Sequence, residues 1–238
     1  MAAVSLLSTH ALSRNYGGLQ AVKNVSLDIS QGEVRALIGP NGAGKTTLVS
    51  MLCGRIPATS GQVVFEGRDV TTLPAHRRIA LGMAYTFQIT SVFAELSVSE
   101  NVELAVQRHI AERQKITAQV DRTLERVGLG RMADRTAGDL AYGHQRLLEI
   151  AMGLGQTPKL LILDEPTQGL SDSEIEDFVA LIRSVSEKST VLLIEHNINV
   201  VMALADKITV LNFGEIIAEG TPGEIRANEA VQTAYLGG

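Results

Sequence analysis

One short segment of the chain has the residues of a phosphate-binding loop. Residues 39–46 read Gly-Pro-Asn-Gly-Ala-Gly-Lys-Thr and satisfy the P-loop pattern G-x-x-x-x-G-K-S/T. Glycines let backbone N–H groups turn toward phosphate oxygens, and the N-terminus of a following helix favours the same anions. Lys45 is expected to reach the β- and γ-phosphates, and the Thr46 hydroxyl to ligate Mg²⁺. The predicted nucleotide contacts in this segment are Gly39, Pro40, Asn41, Gly42, Ala43, Gly44, Lys45, Thr46 and Thr47.

Two apolar runs further along the chain end in ionisable side chains. Asp164 and Glu165 follow the run 160–163, and His196 follows the run 191–194 after one intervening residue. Asp164 could hold Mg²⁺ through water, and Glu165 could accept a proton from an attacking water or orient it. A lone histidine at a strand end is more often structural than catalytic, but a neighbouring strand would place His196 near the γ-phosphate.

The elements that must position these residues follow from the hydrophobic pattern. The run 34–38 leads into the glycine-rich turn and a helical segment at 45–52, and β-type runs at 22–29 and 62–66 lie on either side. From about residue 97 to 156 the pattern is helical, and the last third returns to strand–helix alternation. The pattern predicts a single α/β domain over residues 1–238, with a small β layer near its start and a helical insertion at about 97–156.

Composition excludes several classes of function. The 238-residue chain has 21 Lys and Arg against 26 Asp and Glu, a formal net charge of −5, which argues against a general nucleic-acid-binding protein. The single cysteine, Cys53, cannot form an internal disulfide and is predicted to be a small buried side chain. Because we find no signal peptide and no apolar run of membrane-spanning length, we expect a cytoplasmic chain that could dock onto a membrane protein.

Taken together, these motifs resemble the nucleotide-binding subunit of an ATP-binding cassette (ABC) transporter along essentially the whole chain. Tyr16 matches the aromatic residue of that family that stacks on adenine, and Gln88 matches the glutamine that bridges Mg²⁺, the attacking water and the membrane subunit. The resemblance implies that Asp164 is the Mg²⁺ aspartate, Glu165 the catalytic glutamate and His196 the switch histidine. It also implies a P-loop NTPase (RecA-like) core with a small antiparallel β subdomain and an inserted helical subdomain.

The signature motif departs from the usual Leu-Ser-Gly-Gly-Gln of the family. Ala141 replaces the serine, Tyr142 the first glycine and His144 the glutamine, whereas Gly143 remains. A hydroxyl that would touch the γ-phosphate is therefore missing, but backbone donors at the start of the following helix could still act. A second departure is Ser171, in place of the usual aspartate after Gly-Leu, where Ser171 to Glu174 reads as a capping box. The signature residues expected to complete the ATP site of a partner are Ala141, Tyr142, Gly143 and His144.

The altered signature narrows the resemblance to the ATPases of branched-chain (hydrophobic) amino-acid importers, a family that also takes up related small polar or amide solutes. The motifs that match are Leu-Ala-Tyr-Gly at 140–143 with Gln-Arg at 145–146 and Leu-Glu-Ile-Ala at 148–151, Thr-Phe-Gln at 86–88 with Phe93 and Glu-Asn at 100–101, and Ala-Tyr-Leu-Gly at 234–237. That resemblance implies a peripheral subunit on the cytoplasmic face of the membrane, using ATP and Mg²⁺. It implies a second ABC ATPase subunit, expected to be a different chain, two transmembrane permease subunits, and an external solute-binding protein that acts indirectly. Residues 89–100 would receive the permease subunits, and no nucleic-acid partner is expected.

Three other functions stay open at the level of sequence. A non-transport ABC ATPase acting on the ribosome or DNA typically has two cassettes in one chain or a long coiled coil, and this chain has neither. A kinase or GTPase could use the same loop, but no guanine-selecting Asn-Lys-x-Asp stretch occurs. A catalytically inert binding module is the third, and the presence of both Glu165 and His196 argues against it.

Overall fold

Ten strands form two sheets in the computed structural model, which describes residues 4–86 and 91–235. The smaller sheet is antiparallel, with the order β2-β1-β4-β5. Its strands are β1 (Ser5–Tyr16), β2 (Leu19–Ser30), β4 (Ser60–Phe65) and β5 (Arg68–Asp69). This sheet is the β layer predicted near the start of the chain.

The larger sheet has six strands and contains a parallel core. Its order is β10-β9-β3-β8-β7-β6, in which only β10 runs antiparallel to its neighbour. Its strands are β3 (Val34–Ile38), β6 (Met83–Thr86), β7 (Leu160–Asp164), β8 (Thr190–Ile194), β9 (Lys207–Asn212) and β10 (Glu215–Gly220). β7 and β8 are buried along their whole length, as their continuous apolar runs predicted. β3 is also buried throughout, including Arg35. The α/β fold predicted from the sequence is confirmed.

Register within this sheet brings the ends of three strands together. Ile194 at the end of β8 pairs with Leu37 of β3 on one side and with Asp164 of β7 on the other. Because all three strands run in the same direction, the residues that follow them emerge at one edge. That edge carries the P-loop, Glu165 and His196.

Helices cover both faces of the larger sheet. α1 to α3 are Lys45–Leu52, Ala75–Ala80 and Val98–Val106, and α4 to α6 are Arg113–Arg126, Tyr142–Gly155 and Asp172–Ser186. α7 to α9 are Ile198–Leu204, Pro222–Arg226 and Glu229–Tyr235. Within residues 4–86 and 91–235, none of these helices has the length and apolar character needed to cross a bilayer.

The middle of the chain is helical, as the pattern indicated. α3 begins with a capping box, in which Ser97 Oγ accepts a hydrogen bond from the Glu100 backbone and the Glu100 carboxylate accepts one from the Ser97 backbone. The buried faces of α3, α4 and α5 share one hydrophobic core with β7 and α6. Treatment of residues 97–156 as a separate inserted subdomain stays a prediction.

Cys53 lies at the end of α1 and is 7% exposed. Burial raises the pKa of its thiol to about 12. The thiol is therefore protonated at neutral pH and acts as a small apolar side chain, as predicted.

Candidate functional site

The P-loop connects β3 to α1 and has a backbone that only glycine tolerates at its end. Gly44 has φ +101°, and a Cβ atom placed there would lie 2.4 Å from the carbonyl oxygen of Ala21 in β2. The loop is also closed on itself, since Lys45 Nζ donates to the carbonyl oxygens of Gly39 at 2.6 Å and Pro40 at 3.1 Å. α1 begins at Lys45, so its N-terminal N–H groups face the space that the loop encloses.

The Lys45 ammonium lies in a partly desolvated site with two carboxylates nearby. Burial lowers its pKa, and the negative charges of Glu165 and Asp164 act in the opposite direction. The three residues come from two motifs that are 119 positions apart in the sequence, from 45 to 164. The structure therefore brings the P-loop lysine and the acidic pair into one electrostatic environment.

Glu165 and His196 are in direct contact. Glu165 Oε1 and His196 Nε2 are 2.7 Å apart, and the side chains are 16% and 38% exposed. The Glu165 backbone has φ +49°, a left-handed conformation that is costly for a residue with a side chain, and its N–H donates to the Ile194 carbonyl at 2.9 Å. A strained backbone at a half-buried carboxylate beside a histidine is typical of a catalytic position.

Asp164 is the buried member of the acidic pair, at 2% exposure. Burial raises the pKa of its carboxyl, and the neighbouring Glu165 charge adds to this effect, whereas a hydrogen bond from Tyr85 and the Lys45 charge oppose it. Tyr85 Oη donates that bond to Asp164 Oδ2 at 2.8 Å. The phenol is itself held protonated, because burial and the Asp164 charge raise its pKa.

The oxygen atoms at this edge fit a divalent cation of the Mg²⁺ type. The Asp164 carboxylate and the exposed Thr46 hydroxyl are hard oxygen donors, which Mg²⁺ prefers. A cation beside Asp164 would offset the cost of its buried charge. The described residues contain no cluster of three His, Cys, Asp or Glu side chains able to hold a metal. A P-loop site does not need one, because water and phosphate complete its Mg²⁺ shell.

The signature segment forms the N-terminus of α5 and packs against the segment after β7. A Cβ atom on Gly143 would lie 2.1 Å from the Glu174 carboxylate, and one on Gly169 would lie 2.9 Å from the Tyr142 ring. Ala141 precedes the helix without a side-chain cap, and Tyr142 is 44% exposed. The absence of a side chain at Gly143 therefore leaves room for the Glu174 carboxylate of the same chain, and the Tyr142 ring covers Gly169.

One expected site residue, Tyr16, lies on the smaller sheet. Tyr16, at the end of β1, is 45% exposed, and the Arg14 guanidinium lies 4.6 Å from its ring centroid. Arg14 thus occupies a position over the ring, and stacking of Tyr16 on adenine stays a prediction. Gln88 lies outside the described residues.

Sequence reasoning missed a buried ion pair that supports the acidic strand end. Arg146 in α5 donates to the carbonyl oxygens of Asp164 at 2.6 Å and Glu165 at 2.9 Å. Its guanidinium also pairs with Glu149 at 2.6 Å, and Glu149 accepts a hydrogen bond from the Ser91 backbone. Burial raises the pKa of Glu149. The available signal was an Arg and a Glu three positions apart, beside the apolar residues of the same helix.

A groove opens beside this ion pair, between β6 and helices α3 and α5. It encloses about 340 Å³, and Ser91, Phe93, Leu104, Arg108 and Glu149 are among its lining residues. Phe93 and Leu104 are 54% and 42% exposed, which is high for large apolar side chains. The groove thus offers an apolar surface connected through Glu149 and Arg146 to the end of β7.

Two protein-family models match the sequence of this chain. A family model described as ABC transporter matches residues 22–168. A second model, described as branched-chain amino acid ATP-binding cassette transporter, matches residues 215–238.

Individual relatives are similar along nearly the whole chain. The high-affinity branched-chain amino acid transport ATP-binding protein BraF of Pseudomonas aeruginosa is 39% identical over 250 residues, covering 98% of each chain. LivG of Salmonella typhimurium, with the same description, is 40% identical over 249 residues and 98% of each chain. Among solved structures, MJ1267, an ATP-binding cassette of an ABC transporter, superposes with a TM-score of 0.91 at 28% identity over 98% of this chain and all of that one.

Proposed function

This chain belongs to the ABC transporter family of ATP-binding subunits, and we propose that it hydrolyses ATP to drive the import of branched-chain amino acids. The contact between Glu165 and His196 beside the P-loop carries the hydrolytic part of the proposal. The solute class rests on the relatives, which are described as branched-chain amino acid transport proteins. The match over the last 24 residues supports the same solute class.

In the proposed reaction each residue at the sheet edge has a distinct task. Glu165 orients the attacking water and accepts its proton. His196 holds the Glu165 carboxylate in place, and His196 also binds the γ-phosphate. Lys45 leaves the carbonyl oxygens of its own loop and neutralises the β- and γ-phosphates. Tyr85 and the buried environment keep Asp164 oriented at the end of β7. Mg²⁺ would be held by Thr46, Gln88 and Asp164, and it supplies charge neutralisation of the phosphates when bound.

The signature segment supports a two-subunit ATP site. Ala141 and Tyr142 are exposed at the start of α5, and Gly143 follows them as a buried residue. The N–H groups of this helix start could face the phosphates of a second subunit. Because Ala141 brings no hydroxyl, a partner chain with a different signature would make the two ATP sites unequal. We therefore propose a heterodimer of ATPase subunits, and a homodimer that alone reconstitutes full transport with the permeases would contradict it.

The groove beside the Arg146–Glu149 pair is the proposed docking surface of the permease subunits. Its lining includes Ser91 and Phe93, which belong to the segment expected to receive them, and it exposes Phe93 and Leu104. Docking there would hold this chain at the membrane as a peripheral subunit on the cytoplasmic face.

Uptake of radiolabelled leucine, isoleucine and valine tests the function directly. Cells that lack this chain are complemented with the wild type or with Glu165→Gln, and permease co-purification is measured in parallel. We expect wild-type uptake, no uptake with Glu165→Gln, and equal co-purification of both. Glu176→Gln, an exposed carboxylate change in α6, is the matched control and should transport normally. Restored uptake of an unrelated solute alone would contradict the solute class, and normal uptake with Glu165→Gln would contradict the catalytic role.

A further inference from the structure

A buried carboxylate that the site description does not use lies immediately after β8. Glu195 is 3% exposed and precedes His196 in the chain. One of its oxygens, Oε1, accepts hydrogen bonds from the Thr167 backbone N–H at 3.0 Å and from the Thr167 hydroxyl. The other, Oε2, accepts from the backbone N–H groups of His196 at 2.7 Å and Asn197 at 3.0 Å. All four lone-pair directions of this carboxylate are thus used by donors.

These four bonds join two separate turns. Thr167 lies two positions after Glu165, in the turn that leads to Gly169, and its carbonyl accepts from Leu170 at 3.2 Å. His196 and Asn197 form the opposite turn, which begins α7. The Glu195 carboxylate therefore bridges the turn that follows the catalytic glutamate and the peptide that carries the histidine.

The same bridge extends to the signature segment. Gly169 is covered by the Tyr142 ring, so the turn held by Glu195 also contacts the start of α5. A displacement of that turn would move Glu165 and the surface behind the signature together.

We propose that Glu195 is a positioning residue for ATP hydrolysis, which fixes the turn after Glu165 against the peptide of His196 and so maintains the contact between these two side chains. This inference rests on the proposed function and adds a residue to it. The reason is geometric: the Glu165–His196 contact spans two strands, and a shift of about 1 Å in a reacting group can reduce turnover about 100-fold. Glu165 itself has a strained backbone, which persists only where the surroundings fix it.

Because all four hydrogen bonds of Glu195 are accepted by its carboxylate, replacement of this side chain by an amide tests the bridge directly. Glu195→Gln keeps the size and shape of the side chain, but its amide NH₂ must face donors on one side, so at least one backbone N–H loses its acceptor. Thr167→Val removes the hydroxyl and keeps the backbone N–H, and Thr167→Ser restores a hydroxyl. Glu187→Gln, an exposed carboxylate change, is the matched control.

ATP hydrolysis by the full-length chain, assembled with its permease and ATPase partners, is the primary measurement. We expect Glu195→Gln to lower kcat about 10- to 100-fold and to change the KM for ATP much less. Thr167→Val should show a smaller loss in the same direction, and Thr167→Ser should recover most of it. Thermal unfolding identifies any variant that does not fold. If Glu195→Gln does not fold, the comparison of Thr167→Val with Thr167→Ser tests the positioning role.

A double-mutant cycle with His196→Ala separates positioning from general support of the fold. If Glu195 acts through His196, Glu195→Gln should cost less than about 3-fold in kcat once His196 is replaced. The same fold loss with and without His196 would overturn the proposal, as would wild-type kcat for both Glu195→Gln and Thr167→Val. A wild-type assembly without ATP hydrolysis would instead contradict the proposed function, and the positioning role with it.

Discussion

The P-loop and the Glu165–His196 edge lie side by side, but they are built in different ways. The P-loop is eight consecutive residues whose internal contacts, from Lys45 to the carbonyl oxygens of Gly39 and Pro40, are local in sequence. Glu165 and His196 are 31 positions apart and meet because β7 and β8 pair in register. The P-loop therefore depends on the local conformation of its own backbone. The contact between the Glu165 and His196 side chains depends on the pairing of strands in the larger sheet.

In the proposed function, this difference separates binding from hydrolysis. The loop has N–H groups, a helix N-terminus and a lysine, all of which favour phosphate. The edge has the proposed proton acceptor, the proposed Mg²⁺ carboxylate and a histidine, which would act on water and on the γ-phosphate. Variants in the two regions should consequently fail in different measurements.

The largest effect is expected from Glu165→Gln at the edge. Removal of the proton acceptor should lower kcat about 10²- to 10⁴-fold, while the unchanged P-loop still binds ATP. Single-turnover hydrolysis and nucleotide binding, measured on the same sample, test both halves of this expectation. A parallel loss of ATP binding would contradict the proposed separation of ATP binding by the P-loop from hydrolysis at Glu165 and His196.

The next largest effect is expected from Gly44→Ala in the P-loop. The new Cβ would meet the Ala21 carbonyl at 2.4 Å at a backbone φ of +101°, so we expect a loss of about 2–5 kcal/mol in the free energy of unfolding. Gly42→Ala is the matched control, because Gly42 also has a positive φ but open space around it. Its cost should be about 1–2 kcal/mol in urea unfolding. Equal losses would mean that close packing against β2 contributes nothing.

A smaller effect is expected from Lys45→Ala, and it should appear in binding. Loss of the charged hydrogen bonds to phosphate should weaken ATP binding by about 1.5–3 kcal/mol, or roughly 10- to 100-fold. Equilibrium titration with a fluorescent ATP analogue measures this change. Lys115→Ala, at an exposed lysine of α4, should bind like the wild type.

The smallest effect is a gain in stability from Asp164→Asn. Burial raises the folded-state pKa of Asp164 above its unfolded value, so the folded chain binds more protons between the two pKa values. Stability of the nucleotide-free wild type should therefore rise as the pH falls from neutral through the folded pKa. Asn carries no charge and still accepts from Tyr85, so the variant should be more stable near neutral pH by about 0.5–2 kcal/mol.

Urea unfolding at about pH 7 and about pH 5 compares the stability of the Asp164→Asn variant with that of the wild type. The difference between Asp164→Asn and the wild type should shrink at the lower pH. Asp177→Asn, at an exposed carboxylate of α6, should show no such convergence. A constant difference at both pH values would exclude Asp164 as the group responsible.

Local patterns predicted the elements well where one signal dominated. The helix at 45–52 and the strand at 34–38 have the predicted bounds, because a glycine-rich turn separates a mostly apolar strand from a helical segment. β6, β10 and the C-terminal helices were not identified, since short elements carry too few residues for a clear period. The departures of the signature were visible in the sequence, but the packing of Tyr142 on Gly169 was not.

The sequence by itself determined the P-loop, because a glycine-rich turn between a strand and a helix specifies its own backbone. It also indicated Asp164, Glu165 and His196 as side chains at strand ends. Only the tertiary structure decided that Glu165 and His196 touch, that Arg146 donates to the Asp164 carbonyl at the end of β7, and that Glu195 bridges two turns. The physical reason is that these contacts join residues on different elements, and their distances depend on strand order and register, which no local pattern encodes.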